Sequence, residues 1–395
     1  MLKKWLKRIL ISLTILVVAA VVAVLTVLPR QLEKARNRVT PHAPYQVSDS
    51  ALAKHKTLTI MDWHCDALLW DRDLLQRSDY GHVDIPRLNE GNVAVQVFAA
   101  VTKSPSGQNY QSNKGDSDNI TALAMVQLWP VSAWSSLLAR AVHQADRLNG
   151  FAARDPQRLL VLRTRGDLEK GLEDRRQAAA SGGTGPVMGL LDLEGLHCLE
   201  GKLENLDVLF EAGYRVAGLL HFFDNEVGGS LHGQSHGGLT DFGRAVVAKL
   251  DEKKMIIDLA HSSPQVVDEV LQLSTRPVVV SHTGVYGACK SPRNLTDEQM
   301  KRIAARGGLI GIGYWDVVCD ISPEGVVRSL RYAMDLVGED HVALGSDFDG
   351  TTTTAFDTSE LAVLTQKMVE AGFTDRQIEK VMGGNSIRFL MANLP

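Results

Sequence analysis

The stretch Thr57-Leu58-Thr59-Ile60-Met61-Asp62-Trp63-His64-Cys65-Asp66 decides the fold. It opens as a short apolar run suited to a buried strand and ends in ionisable residues. Alternation along an extended chain sets Asp62, His64 and Asp66 on one side. Working outward, apolar runs rich in Val, Ile and Leu return at 93–100, 187–191, 216–220, 255–259, 277–280, 309–312 and 342–344, which with 57–61 makes eight. Helical patterns such as 241–253, 296–306 and 323–337 lie between them. Near-continuous apolar strands alternating with helices predict a parallel sheet closed into a (β/α)8 TIM barrel, with an open doubly wound sheet as the alternative. No glycine-rich dinucleotide fingerprint follows the first run, and no repeated sequence unit is present.

The 395 residues are 45% hydrophobic and 22% charged, which supplies an ample core. A net charge of −4 leaves no extended basic surface, so nucleic acid is not the expected partner and a small molecule is. Lys3, Lys4, Lys7 and Arg8 precede an uncharged run over 9–28, the length of a bilayer-spanning helix at roughly 20 residues. That run ends without a small-residue cleavage site and reads as an uncleaved anchor. The predicted layout is a cytoplasmic basic tail at 1–8, a transmembrane signal anchor at 9–28, a polar stalk with three prolines at 29–55, and one barrel domain at 56–395. The basic cluster before the span keeps the N-terminus in the cytoplasm and puts the barrel outside, in the periplasm of a bacterial envelope. Cys65, Cys198, Cys289 and Cys319 show no C-x-x-C spacing and read as buried or site-lining thiols rather than a disulfide framework, with connectivity open.

The ionisable residues collect where the strands end. The first run leads into His64 and Asp66, the third into Glu194, the fourth into His221, the fifth into His261, the sixth into His282 and the eighth into Asp347 and Asp349. A lone histidine at a strand end is usually structural, and a lone aspartate there often caps a helix. Three histidines and two carboxylates from four strands at one end of a barrel instead form a nitrogen and oxygen donor set that suits zinc, with a carboxylate such as Glu194 able to bridge a metal pair. Two long loops, 103–119 and 224–240, follow strand ends and belong on the same face. His197, His232 and His236 are not expected to bind metal, and the latter two read as solvated loop residues. Asp62 and Asp258 read as hydrogen-bond partners behind the ligands.

These motifs occur in an order that resembles the membrane, or renal, dipeptidases of the amidohydrolase-like metallo-barrels. The resemblance runs from about residue 57 to 390: the D-x-H-x-D at the first strand, Glu194-Gly195-x-His197, Gly213-Tyr214-Arg215 leading to His221, Ile257-Asp258-Leu259-Ala260-His261, Ser281-His282, Arg293-Asn294 and Gly345-Ser346-Asp347-Phe348-Asp349-Gly350. It implies two zinc ions per chain, one on His64 and Asp66, the other on His261 and His282, with Glu194 shared. It also implies hydrolysis of dipeptides by a hydroxide between the metals, with a D-residue tolerated at the C-terminal position. His221 would contact the scissile carbonyl, Arg293 and Asn294 the substrate, and Asp347 would shuttle the proton, while Asp349 caps a helix or orients its neighbour. A homodimer is implied as well. Residues 97–100 and 313–315 fall where the family lines its side-chain pocket, without matching its usual sequences. The alternatives are the same metal barrel acting on another small amide, such as an N-acyl amino acid or a lactam, and a catalytically silent binding protein.

Overall fold

The computed structural model describes residues 2–395. Eight parallel strands form the centre: β1 (Ile60–Cys65), β2 (Val93–Val101), β3 (Val187–Glu194), β4 (Tyr214–Gly218), β5 (Ile256–Asp258), β6 (Val279–Thr283), β7 (Leu309–Ile312) and β8 (Val342–Leu344). Each pairs with the next, and β8 returns to β1 through Leu344 and Asp62, so the sheet closes as a TIM barrel. Every strand residue is buried. That double-sided burial is why the strands read as unbroken apolar runs rather than alternating ones. A short ninth strand, Leu159–Leu162, pairs with Val187–Leu190 on the edge that β4 takes over from Leu191.

Helices cover the outside. Three of them, Asp241–Glu252, Asp297–Ala305 and Pro323–Val337, stand where the periodicity puts them. Each starts at a capping hydroxyl that accepts a backbone N–H one turn in: Thr240 from Gly243, Thr296 from Gln299, Ser322 from Gly325. Between each of these helices and the strand before it runs a loop, 219–240, 284–296 and 313–322, and these loops stand over the strand C-termini where the site is built.

Two expectations need correction. The 29–55 segment is not a free stalk. The N-terminal helix Leu2–Arg36, long and apolar enough to cross a membrane, runs on past its apolar part, strand Arg38–Val39 pairs in parallel with Thr353–Thr354, and helix Asp49–Thr57 packs on the body. The polar composition of this segment reflects ion pairing and backbone hydrogen bonding, which composition alone does not separate from solvation. Cys289 and Cys319, read as thiols, form a disulfide, while Cys65 and Cys198 are buried and free. The loops after β6 and β7 bring together two cysteines that are 30 residues apart, which spacing in the sequence does not reveal.

Candidate active site

Six strand ends converge at the C-terminal mouth of the barrel. Glu194, the last residue of β3, stands at the centre: its Oε1 lies 3.2 Å from His261 Nε2, 3.5 Å from His282 Nε2 and 3.5 Å from His64 Nε2, and its Oε2 lies 3.4 Å from His221 Nε2. Asp66 Oδ1 is 3.6 Å from His64 Nε2, and Asp347 Oδ1 is 4.0 Å from the same nitrogen. All these side chains are buried. Gly195 permits the approach, since it has φ 96° and a Cβ there would meet the His197 ring at 2.6 Å and His221 Cβ at 3.1 Å.

The donors fit a metal pair. Two sets, His64 with Asp66 and Glu194, and Glu194 with His261 and His282, share one carboxylate, and a third, His64 with His282 and Asp347, crosses between them. His64 Nε2 and Asp66 Oδ1 are buried without a hydrogen-bond partner, and buried polar atoms are rarely left so. His261 and His282 point Nε2 at Nε2 across 3.0 Å, an approach that two lone pairs tolerate when a cation sits beside both. Burial drives the imidazoles of His221, His261 and His282 well below the histidine range, which keeps them neutral and able to ligate. Burial likewise opposes charge on His64, but Asp66, Glu194 and Asp347 outweigh it and hold its pKa well above the ordinary value. A site that draws a proton onto a buried histidine is one that attracts positive charge.

Behind the donors, hydrogen bonds fix their orientation. Ser281 Oγ donates to Asp258 Oδ2 at 2.5 Å and lies 2.8 Å from His282 Nδ1. Asp62 accepts from the backbone N–H of His64 and from the N–H and hydroxyl of Ser346, tying β1 to the loop after β8. Asp192, which the sequence reading passed over, places Oδ2 3.9 Å from His64 Nδ1. It sits two residues before Glu194, and period-two alternation along β3 is the signal that marks it.

Asp347 and Asp349 both have positive φ, 57° and 62°, as does His261 at 61°. Such angles are uncommon for residues with a Cβ and concentrate at functional sites. Burial raises the Asp347 carboxyl well above its ordinary value. Gly350 leaves room for it, since a Cβ there would lie 2.1 Å from Asp347 Oδ1 and 2.6 Å from Asp66 Oδ2. Asp349 caps no helix: it pairs with Arg72 and accepts from the backbone N–H of His82 at 2.6 Å and Val83 at 3.2 Å, tying the loop after β8 to the segment after β1. Burial would raise its carboxyl, but Arg72 and His82 hold it well below the usual range.

A cleft of two adjoining lobes lies over these groups, about 480 and about 550 Å3. Asp347, Gly350, Thr351 and Gln108 line both. Glu194, Asp66 and His221 face the first lobe, and Arg293, Tyr110, Phe222 and Trp315 the second. Arg293 is buried, and its Nη2 donates to the His282 carbonyl at 3.0 Å. Among the described residues its Nε and Nη1 have no protein partner. Asn294 stands behind this wall, where its amide donates to the carbonyls of Cys289 at 2.9 Å and Val317 at 2.7 Å and ties two loops together without lining the cleft. Val101 lines the first lobe, whereas residues 97–100 are core.

Of the three histidines not expected to bind metal, His197 is buried with Nε2 2.8 Å from Thr102 Oγ1, and His236 is exposed. His232 is not a solvated loop residue. It is fully buried, stacked on Phe222 at 4.7 Å, with Nδ1 2.9 Å from the Tyr110 carbonyl. Asp224 folds the glycine-rich loop over it by accepting the N–H groups of Ser230, Gln234 and Ser235.

A model of the membrane dipeptidases, peptidase family M19, matches residues 49–393. Dipeptidase aclJ of Aspergillus oryzae is 26% identical over 356 residues, which cover 84% of this chain and 77% of that protein. Dipeptidase tcpJ of Claviceps purpurea is 28% identical over 322 residues, 78% of this chain and 69% of that one. Among solved structures, a metallopeptidase from Rhodobacter sphaeroides bound to a phosphinate mimic of the dipeptide L-Ala-D-Ala aligns with a TM-score of 0.69 at 25% identity, covering 86% of this chain and 99% of the other. The probable dipeptidase PvdM from Pseudomonas aeruginosa aligns with a TM-score of 0.71 at 18% identity, covering 87% and 97%, a likeness of fold.

Proposed function

The chain belongs to the membrane dipeptidase family, peptidase family M19, and on that premise we propose that it is a zinc-dependent dipeptidase held by its N-terminal helix at the outer face of a membrane. The observation that carries this reading is the convergence of His64, His261 and His282 on Glu194 at 3.2–3.5 Å, with Asp66 beside them. His64 and Asp66 would hold one zinc, His261 and His282 the other, and Glu194 both. Bound there, zinc supplies Lewis acidity: a water made acidic enough to attack near neutral pH and a polarised substrate carbonyl.

The chain's own residues do the rest. Asp347 borders both lobes, and its raised pKa suits a group that takes a proton from the attacking water and returns it to the departing amine. The position of His221, 3.4 Å from Glu194 Oε2, supports a role in donating to the oxygen on which negative charge develops. The free N–H groups of Arg293 suit a carboxylate, whose two oxygens match a guanidinium fork. A recognised free carboxylate next to the scissile bond favours dipeptides over proteins. The Rhodobacter sphaeroides relative, with its L-Ala-D-Ala mimic, supports acceptance of a D-residue at that position. The basic residues before the span support a cytoplasmic N-terminus, and the Cys289–Cys319 disulfide supports an oxidising compartment for the barrel.

The test is zinc content together with hydrolysis of L,L and L,D dipeptides by the full chain, with and without chelator. Two zinc ions per chain and chelator-sensitive cleavage are expected. Asp347→Asn should lower turnover by roughly 10²–10⁴-fold with zinc content unchanged. Bound zinc without dipeptide cleavage would overturn the substrate, and no bound zinc would overturn the mechanism.

A further inference from the structure

We propose that the N-terminal helix is a wall of the substrate cleft, and that Leu32 and Arg36 on it select the side chain of the substrate's N-terminal residue. The inference rests on the dipeptidase reading. The helix is fastened to the loop that carries Asp347 at successive points. Glu33 pairs with Arg72, which in turn pairs with Asp349. Asn37 Oδ1 accepts the N–H of Thr351 at 2.8 Å. The N–H of Arg38 donates to Thr352 O at 3.1 Å and that of Thr40 to Thr354 O at 2.8 Å. Glu33 in the last turn is buried, as is Asn37 just past the helix end, whose N–H donates to the Glu33 carbonyl at 2.8 Å, and the two mark the side turned to the barrel.

Leu32 and Arg36 are also four apart, one position behind that pair, and both line the first lobe together with Asp66, Glu194, His221 and Asp347. The rest of this lobe's wall is mixed: Trp70, Val101, Ile120 and Leu123 are apolar, Ser104 and Asn119 polar. Arg293 lines only the second lobe. A dipeptide whose carboxylate meets Arg293 and whose scissile bond lies beside Asp347 therefore puts its N-terminal residue in the lobe walled by Leu32. Leu32 and the other apolar residues of that wall suit an apolar side chain. Among the described residues Arg36 makes no ion pair, so its guanidinium at the rim favours a side chain ending in a carboxylate over one ending in an ammonium.

The experiment uses the full chain in nanodiscs and measures kcat and KM for Gly-Ala, Leu-Ala, Glu-Ala and Lys-Ala. Leu32→Trp fills the lobe and is expected to raise KM for Leu-Ala at least tenfold while Gly-Ala stays within twofold. Arg36→Glu is expected to shift the ratio of kcat/KM for Glu-Ala over Lys-Ala at least tenfold toward Lys-Ala. Gln31→Trp, with the same bulk on the neighbouring residue that lines a separate surface pocket with Tyr80 instead of the cleft, should leave all four within twofold. Unchanged selectivity in Leu32→Trp and Arg36→Glu, or an equal loss on all four substrates including Gly-Ala, would overturn the inference and leave the dipeptidase reading standing. A wild-type chain that cleaves no dipeptide would overturn that reading and this inference with it.

Discussion

Ser281→Ala tests whether the hydrogen bonds behind the donors set metal affinity. The serine hydroxyl has one proton, and Asp258 Oδ2 at 2.5 Å can only accept as a carboxylate, so the proton points to Asp258. Ser281 Oγ then accepts from His282 Nδ1 at 2.8 Å. With Nδ1 protonated, His282 Nε2 presents a lone pair toward Glu194 and His261. Removing the hydroxyl frees both tautomer and ring orientation. Loss of such a partner typically costs 10–100-fold in metal affinity, about 1.4–2.7 kcal/mol. The fold should survive, because Asp258 still accepts the N–H groups of Ser281 at 2.8 Å and Ala260 at 2.9 Å. Competition with a chromophoric chelator reads the affinities of the two proposed zinc sites directly. The site that His261 and His282 would form should fall by that factor, while the one proposed on His64 and Asp66 should change less than threefold. Two unchanged affinities, or two that drop equally, would refute the reasoning.

Arg72→Met leaves Glu33 and Asp349 buried without their shared cation and should cost about 3–5 kcal/mol in chemical unfolding; a loss under 1 kcal/mol would show that the pairing does not hold the helix to the loop. Thiol titration of the denatured chain should find the two free cysteines, Cys65 and Cys198, before reduction and all four after it. The double change Cys289→Ser with Cys319→Ser opens a loop closed over 30 residues and should cost about 3–4 kcal/mol by the chain-entropy model. His55→Gln should flatten stability against pH. Burial lowers the His55 pKa to about 4, so between pH 6.5 and 4 the unfolded chain holds the extra proton, and the wild type loses about 1.4 kcal/mol per pH unit as pH falls through that window. The stability gap between wild type and His55→Gln should therefore shrink by up to about 3 kcal/mol from pH 7 to pH 4, and a constant gap would refute it.

Most of the barrel was legible because each of its strands is buried on both faces and each donor stands at a strand end. Those two regularities turn a one-dimensional pattern into a shared mouth, and from the sequence they bring Glu194, His261 and His282 together. What lies between strands was less legible. Nothing local distinguishes His232, packed on Phe222, from His236, exposed four residues later. Cys289 and Cys319 meet only because two loops lean together, and Asn294, adjacent to Arg293 in sequence, turns its amide to those loops instead of the cleft.

The docking of the N-terminal helix was hidden for a different reason. Glu33 follows an apolar run and precedes Lys34, Arg36 and Arg38, a composition that solvent accommodates equally well. Its role depends on Arg72 and Asp349, 39 and 277 residues apart from their respective partners. Burial pushes the Glu33 carboxyl up to about 7 despite Arg72, a cost that an isolated linker has no reason to bear. If residues 9–28 span the bilayer, Leu32 lies only four residues past its edge, about 6 Å along the helix. The same helix that holds the chain at the membrane then sets the distance between the bilayer surface and the cleft, so lengthening the helix by one turn before Pro29 should disturb substrate access less than breaking the Glu33–Arg72–Asp349 connection that holds the loop of Asp347.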